Sequence, residues 1–434
     1  MRSAGTVTVG RAPSLMPYVV FLSFPIFWFL GLPWLWGPVV GLILLAWLLP
    51  NIRSLRLPRA FGLWALFLSW MLLSATQLQG LDRWAAFLLR GSHYLTATVI
   101  LLYVYNATEE QFSRRALVQA VAMLWGVTIL LGLASLVWPG AQFTTLGARI
   151  LPTSLKSVAL VEDQTLPRLS QVQRIFGYPV ARPAAPYTYT NGWAANLAFA
   201  TPFALLSIRQ SRSRLWRWFL IALLGIGVVP FVYSVSRAAW VALGLALLYA
   251  TVRFSLRRGG GSTLVKAALM FTGVAVLVLF SPLNGLIIDR INTPHSNEGR
   301  IAQSLEASRR VIESPLVGYG APLPSEDDPS SKHNVGTHGQ LWLVLFSHGI
   351  PGLIFYVGWF LAVFWHFRSG RTQFALWVHV LAVMLFLVMP FYGVLSMEFI
   401  VLMAAIALGF REEDSAPSPS GRSTELSAVR TAAF

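Results

Sequence analysis

Apolar runs of about 17 to 25 residues recur along the chain between short polar links, the length a helix needs to cross the roughly 30 Å hydrocarbon layer of a bilayer. They fall near 17–32, 34–49, 61–78, 91–106, 115–138, 192–208, 216–233, 238–253, 264–283, 339–365, 374–392 and 396–410. The pattern predicts an all-α membrane protein of about twelve transmembrane helices. The first two, joined at Pro33, are short enough to form a re-entrant pair instead. No internal repeat or inverted symmetry relates the halves, which disfavours the common transporter architectures. Two polar interruptions are long, about 139–190 and 284–338, and connections of that length in a compact protein are functional or disordered. The first holds Phe176-Gly177-Tyr178-Pro179 and Pro186-Tyr187-Thr188-Tyr189, suited to a partly ordered lid. The second predicts a short helix outside the membrane from Gly299 to Glu313, capped by Asn297 and stopped by Ser314-Pro315. Ile301, Leu305, Ser308 and Ile312 line one stripe of it, and Glu306 with Arg310 and Arg309 with Glu313 form i,i+4 pairs.

Composition agrees with this reading. At 56% hydrophobic and 12% charged over 434 residues, the chain has too little polar surface to enclose one soluble core. Its 17 Trp and 12 Tyr suit repeated crossings of the headgroup layer. The absence of cysteine excludes disulfides and thiolate chemistry and leaves the compartment open. The first apolar run has no convincing small-residue cleavage site and is expected to be retained as helices.

A net charge of +16 would suit a nucleic-acid groove, but the positions argue otherwise. Arg53, Arg56 and Arg59, then Arg114 and Arg115, Arg209 to Arg217, Arg253 to Lys266, and Arg368 with Arg371 sit in short loops between spans. That is the pattern that holds basic loops in the cytoplasm. An even number of spans puts those loops and both termini on the cytoplasmic side. The long loops and the link Ser234-Val235-Ser236-Arg237 then lie outside. Residues 1–410 form one polytopic domain, and 411–434, poor in large apolar residues, predict a disordered cytoplasmic tail.

Among the outer residues, Arg300 falls in the first turn of the predicted loop helix, where free backbone N–H groups and a guanidinium together suit a phosphate. A solvated surface arginine is the equal alternative. Arg237 stands at the outer mouth of a span, where an arginine also snorkels to headgroups. Sharing a face with Arg300, it would let two guanidiniums grip the phosphates of a lipid diphosphate. Arg83 and Arg90 are weaker candidates of the same kind, explained as well by anionic headgroups. His338 opens the next span on the outer side and is suited to accept a proton near neutral pH, though a histidine there also serves as an interfacial or capping group. No glycosidase-like carboxylate pair and no metal-ligand spacing such as HExxH is present, so no metal site is expected.

Three pieces, in order, resemble the bacterial O-antigen ligase and polymerase superfamily of polytopic membrane glycosyltransferases. Ser234-Val235-Ser236-Arg237-Ala238-Ala239-Trp240 is similar to its serine-arginine-small-tryptophan helix start. Gly299-Arg300 with Ser314-Pro315-Leu316-Val317-Gly318-Tyr319-Gly320 is similar to its arginine segment and proline-glycine turn. Thr337-His338-Gly339-Gln340, followed by Gly349-Ile350-Pro351-Gly352, is similar to its histidine-asparagine helix and closing Gly-x-x-Gly. Gly339 stands where the family has asparagine, and Gln340 is the residue that could replace that side chain.

The resemblance implies an inverting, metal-independent transfer on the outer face of the inner membrane, with no cofactor. The donor would be a glycan on undecaprenyl diphosphate and the acceptor a sugar hydroxyl on a glycan or lipid anchor. Arg237 and Arg300 would bind the diphosphate and His338 would be catalytic. A ligase is the first expectation and a polymerase with the same chemistry the second. A transporter or flippase of the same lipid would need ionisable residues at mid-membrane, and the spans offer little beyond Glu398.

Overall fold

The structure, a computed structural model, describes residues 15–152, 159–258, 283–292, 295–328, 334–370 and 372–415, with isolated positions between 259 and 282. The ninth expected span, 264–283, is described only at scattered positions, and Lys266, His333, Arg371 and 416–434 lie outside the described residues. The chain begins with α1 (Met16–Phe29), α2 (Pro33–Leu48), α3 (Phe61–Ser74), α4 (Leu81–Asn106) and α5 (Arg114–Val137). The first long loop folds into α6 (Leu146–Ile150), α7 (Ala159–Thr165) and the strands β1 (Ser170–Arg174) and β2 (Pro179–Pro183). Then come α8 (Thr190–Gln210), α9 (Arg214–Ile226), α10 (Val228–Tyr233) and α11 (Arg237–Arg258). The second long loop holds α12 (Leu283–Asn292) and α13 (His295–Val311), and α14 (Gln340–Phe367), α15 (Gln373–Val388) and α16 (Met397–Ser415) follow.

Among the described residues, six stretches are long and apolar enough to cross a membrane: Pro33–Ser54, Leu81–Asn106, Arg114–Val137, Arg214–Tyr233, Arg237–Arg257 and Gln340–Phe367. The protein is mostly helical and multi-pass, and an exact count of twelve stays an expectation. Polar caps start several helices where the sequence supplies them. Ser113, Ser213 and Thr372 accept from the backbone N–H of Ala116, Trp216 and Ala375, taking up one of the unbonded first-turn donors. At the centre stand α8 and α16, buried along nearly their whole length. Alanine recurs through α8, and small side chains let neighbouring backbones approach closely. Around them α5 packs on α8, α4 on α16 and α2, α14 on α3, and α11 on α15.

The fold is not all-α. Val172 faces Ala181 and Gln173 faces Val180 in an antiparallel hairpin, β1 to β2, turned at Phe176-Gly177-Tyr178. The expected lid is thus a hairpin with two short helices. The last helix, α16, also runs past residue 410 to Ser415. Arg411 reaches Glu109 (2.7 Å) and the carbonyls of Ala107 and Phe112 (both 2.9 Å), while Arg114 meets Glu412 (2.8 Å) and His366 meets Glu413 (2.7 Å). Tyr105 donates to Asp414 (2.6 Å), and Asn106 holds the backbone of Arg56. These contacts tie the loops of Arg56 and Arg114 and the end of α14 to the end of α16.

At the opposite end α14 is broken. Gly349 has φ +68° and ψ −173°, and Pro351, two residues on, has no N–H to close the helical bond on Ser347. The freed carbonyls of Phe346 and Ser347 accept from Tyr319 N (3.0 Å) and Gly320 N (2.7 Å), and Ile350 N donates back to the Pro315 carbonyl (2.8 Å). The Gly-Ile-Pro-Gly sequence is therefore a socket for the proline-glycine turn. A Cβ on Gly349 would stand 2.4 Å from the Leu316 oxygen. Gly349→Ala is expected to cost at least about 1–3 kcal/mol from backbone strain, read as a lower melting temperature and protease cleavage near 314–320.

Candidate functional site

One half of the site is built on the turn between α10 and α11. Val235 has φ +51°, a left-handed conformation that crowds a β-branched side chain against its own backbone. Such a residue costs on the order of 1–3 kcal/mol unless its surroundings hold it. They do so with two buried arginines, one from each long loop. Arg182 of β2 donates from Nε to the Ser234 carbonyl (2.7 Å), and Arg290 of α12 donates from Nε to the Val235 carbonyl (3.3 Å). Arg182 also meets Asn191 Oδ1 (3.2 Å), which accepts from Ser236 Oγ (3.1 Å). Ala239 is fully buried, and Trp240 Nε1 bonds back to the Phe231 carbonyl (2.8 Å). Half-buried Arg237 opens α11 from this clamped turn.

The hairpin tip completes the enclosure. Phe176 packs with Leu283, Leu286 and Val232, and Tyr178 donates to Asp289 (2.8 Å). Nearer the bundle, Tyr189 donates to Asp163 (3.1 Å), and burial, reinforced by that carboxylate, pushes its phenol up to about 12. Replacing Arg182 by methionine keeps much of its bulk and removes the clamp. It is expected to lower the melting temperature, because the buried Ser234 carbonyl loses its donor and the left-handed turn at Val235 one of its supports.

The other half is built on α13 and the start of α14. The helix begins at His295, so Arg300 lies in its second turn and not in the first. Its own N–H groups are therefore not the open donors the sequence suggested, and the side chains of Asn297 and Arg300 lie outside the described residues. The face of α13 turned to the protein is not the stripe of Ile301, Leu305 and Ile312. Glu306, Ala307, Arg310 and Val311 are buried, while Ile301, Leu305 and Ile312 are exposed. Glu306 takes Arg310 (3.3 Å), Ser325 Oγ (2.5 Å) and the N–H of Glu326 (2.8 Å). Arg309 pairs with Asp327 (2.7 Å) across to the loop, and Glu313 accepts from Tyr319 Oη (2.9 Å). Tyr319 stacks on Phe346 of α14, joining loop helix and span.

His338, half-buried, precedes α14. Gly339 has φ +142°, and a Cβ there would lie 2.5 Å from the Pro390 oxygen. This backbone has no room for the asparagine of the family pattern. Nor does Gln340 take that side chain's place. It is fully buried, donating to Tyr94 Oη (2.7 Å) and accepting from Val394 N (3.0 Å), so it tethers the helix start. The first free amides of α14, Gln340 N and Leu341 N, bond the carbonyls of Tyr392 and Met389.

Glu398, buried at the start of α16, accepts from Leu395 N and Ser396 N and from Asn196 of α8. Asn196 bonds Gly192, next to the Asn191 that holds Ser236. A chain of polar contacts and short backbone steps thus links the two halves through α8. Arg83 is a fastener as well, donating to the carbonyls of Gln77 (3.2 Å), Tyr319 and Ala321 (3.4 Å), and Arg90 bonds Ala86 of its own helix (3.2 Å). His348, beside Ser74 (2.8 Å) and the ring of Phe67, is a core histidine. Sequence reasoning missed Arg182, Arg290 and Asn191. An arginine in a long loop carries no local sign that it will be buried. Among the described residues no group of three or more His, Asp or Glu side chains could hold a metal ion.

These features define a multi-pass membrane protein whose long loops fold onto one end of the helix bundle around an arginine-bearing turn and a histidine-led helix. Residues 220–357 match the family described as O-Antigen ligase, and every motif quoted above falls inside that range. The match covers about a third of the chain, and it supports the resemblance to the O-antigen ligase and polymerase superfamily that the short motifs carry. No curated protein matches the chain.

Proposed function

We propose that this protein is a glycosyltransferase of the bacterial inner membrane, with both termini cytoplasmic and its site on the outer face. It would move a glycan from undecaprenyl diphosphate to an acceptor sugar hydroxyl. The observation that carries the reading is the second loop's double attachment. Its α12 clamps the turn before Arg237, and its α13, which bears Arg300, packs on the helix that His338 leads. One continuous loop thereby spans the cationic half and the histidine half.

In the reaction the acceptor oxygen attacks the anomeric carbon from the face opposite the diphosphate. A C–O bond to the acceptor forms while the C–O bond to phosphate breaks, and the configuration inverts. His338 takes the hydroxyl proton, and the electron pair leaves on the diphosphate, where Arg237 and Arg300 stabilise the developing charge. The diphosphate is already a good leaving group, so neither nucleotide nor metal is required. Two ionisable groups inside the bundle have fixed partners, Glu398 on Asn196 and His379 on Tyr249 (2.8 Å) and the Phe364 carbonyl (2.9 Å), which favours an enzyme over a transport path.

Surface glycan in a host lacking this protein distinguishes the acceptor classes. Long polymer stranded on the lipid carrier is the result expected of a missing ligase, and single repeat units on carrier or anchor would make the protein a polymerase. Normal glycan in that host would contradict both.

A further inference from the structure

The apolar and charged faces of α13 are inverted for a helix in water. Its inner face carries the Glu306–Arg310 pair, with side chains 1% and 6% exposed, while Ile301, Leu305 and Ile312 on the outer face are 56%, 64% and 77% exposed. Those three stand on one stripe at helical spacing. Water would favour the opposite arrangement, with carboxylate and guanidinium outward and isoleucine and leucine inward.

We infer that α13 lies in the headgroup layer of the bilayer, its apolar stripe in contact with acyl chains. Continuity with the lipid-facing surface of the spans supports this. Leu316, 65% exposed, prolongs the stripe past the helix end and is pinned to the bundle, its carbonyl accepting from Trp70 Nε1 of α3 (2.8 Å). Beside it Ile350 of α14 donates to Pro315, and Ile350 and Ile354 are themselves exposed. Exposed apolar surface therefore runs from the spans onto the loop. The preceding helix also exposes isoleucines, Ile288 and Ile291, while burying Arg290 beside Leu283 and Leu286.

A partly immersed amphipathic helix of this kind is held by its buried apolar area. It would set the backbone of Arg300, next to Ile301, at the depth of lipid phosphates. The inference concerns the lipid surface alone and does not rest on the transferase reading.

The absence of cysteine makes the test direct. Single nitroxide labels go on Leu305→Cys and Ile312→Cys in vesicles of phosphatidylethanolamine and phosphatidylglycerol. Leu361→Cys on the lipid side of α14 and Asn334→Cys on the exposed loop serve as references. Collision rates with oxygen, which concentrates in lipid, are compared with those of a water-soluble nickel chelate. The oxygen-to-nickel ratio at 305 and 312 should exceed that at 334 several-fold and approach that at 361. A ratio equal to that at 334 would overturn the proposal, and so would spin–spin broadening, which would assign the stripe to a second copy of the chain. Each labelled side chain is already exposed, so the core is undisturbed.

Discussion

Replacing His338 by alanine is expected to lower glycan transfer by about 10²–10⁴-fold, the usual contribution of a positioned general base. The residue stands just ahead of α14, whose start is held without it. Gln340 and Leu341 donate to Tyr392 and Met389, and the Gln340 side chain bridges Tyr94 and Val394. Loss of the imidazole should therefore leave insertion and melting behaviour intact, so that the defect lies in chemistry. Initial rates with purified, reconstituted protein check this, and kcat should carry the loss. Wild-type rates from His338→Ala would end its catalytic role.

Arg237→Ala and Arg300→Ala are each expected to reduce transfer by roughly 10²–10³-fold, as when one preorganised partner of a developing negative charge is removed. Two guanidiniums acting on one leaving group work as a unit. The double variant should then be far less than the product of the single losses. Full additivity would mean that the two arginines serve separate steps. Arg182→Met separates holding from contact. If Arg182 acts through the Ser234–Arg237 turn, its effect on transfer should be absent in a background already carrying Arg237→Ala.

The helices were legible because a bilayer imposes its thickness on the sequence, and nearly every expected run within the described residues became a helix, six stretches of them long and apolar enough to cross a membrane. The motifs were legible as landmarks, but their work was not. Gly349-Ile350-Pro351-Gly352 read as a family signature, and only the structure makes it a broken helix whose freed carbonyls receive Tyr319 and Gly320. The direction in which the stripe of α13 faces was not legible, because amphipathic periodicity gives the stripe and not the solvent beside it. Ile301 and Leu305 would point inward on a soluble protein, and here the buried Glu306–Arg310 pair takes that side.

Arg309 went to Asp327 in preference to Glu313, since a loop partner distant in sequence is invisible to i,i+4 spacing. Arg182 was hidden for the same reason. Its partners Ser234 and Ser236 lie across the bundle end in another segment.

The central claim is that the arginine turn and the histidine-led helix form one transfer site. The most direct measurement supplies reconstituted protein with an undecaprenyl-diphosphate-linked glycan and an acceptor, in EDTA and without nucleotide, and quantifies transferred glycan and released undecaprenyl diphosphate together. The account predicts the two in equal amounts from wild type and both lowered by about 10²–10⁴-fold in His338→Ala. Donor carried intact across the bilayer, with no diphosphate released, would contradict it.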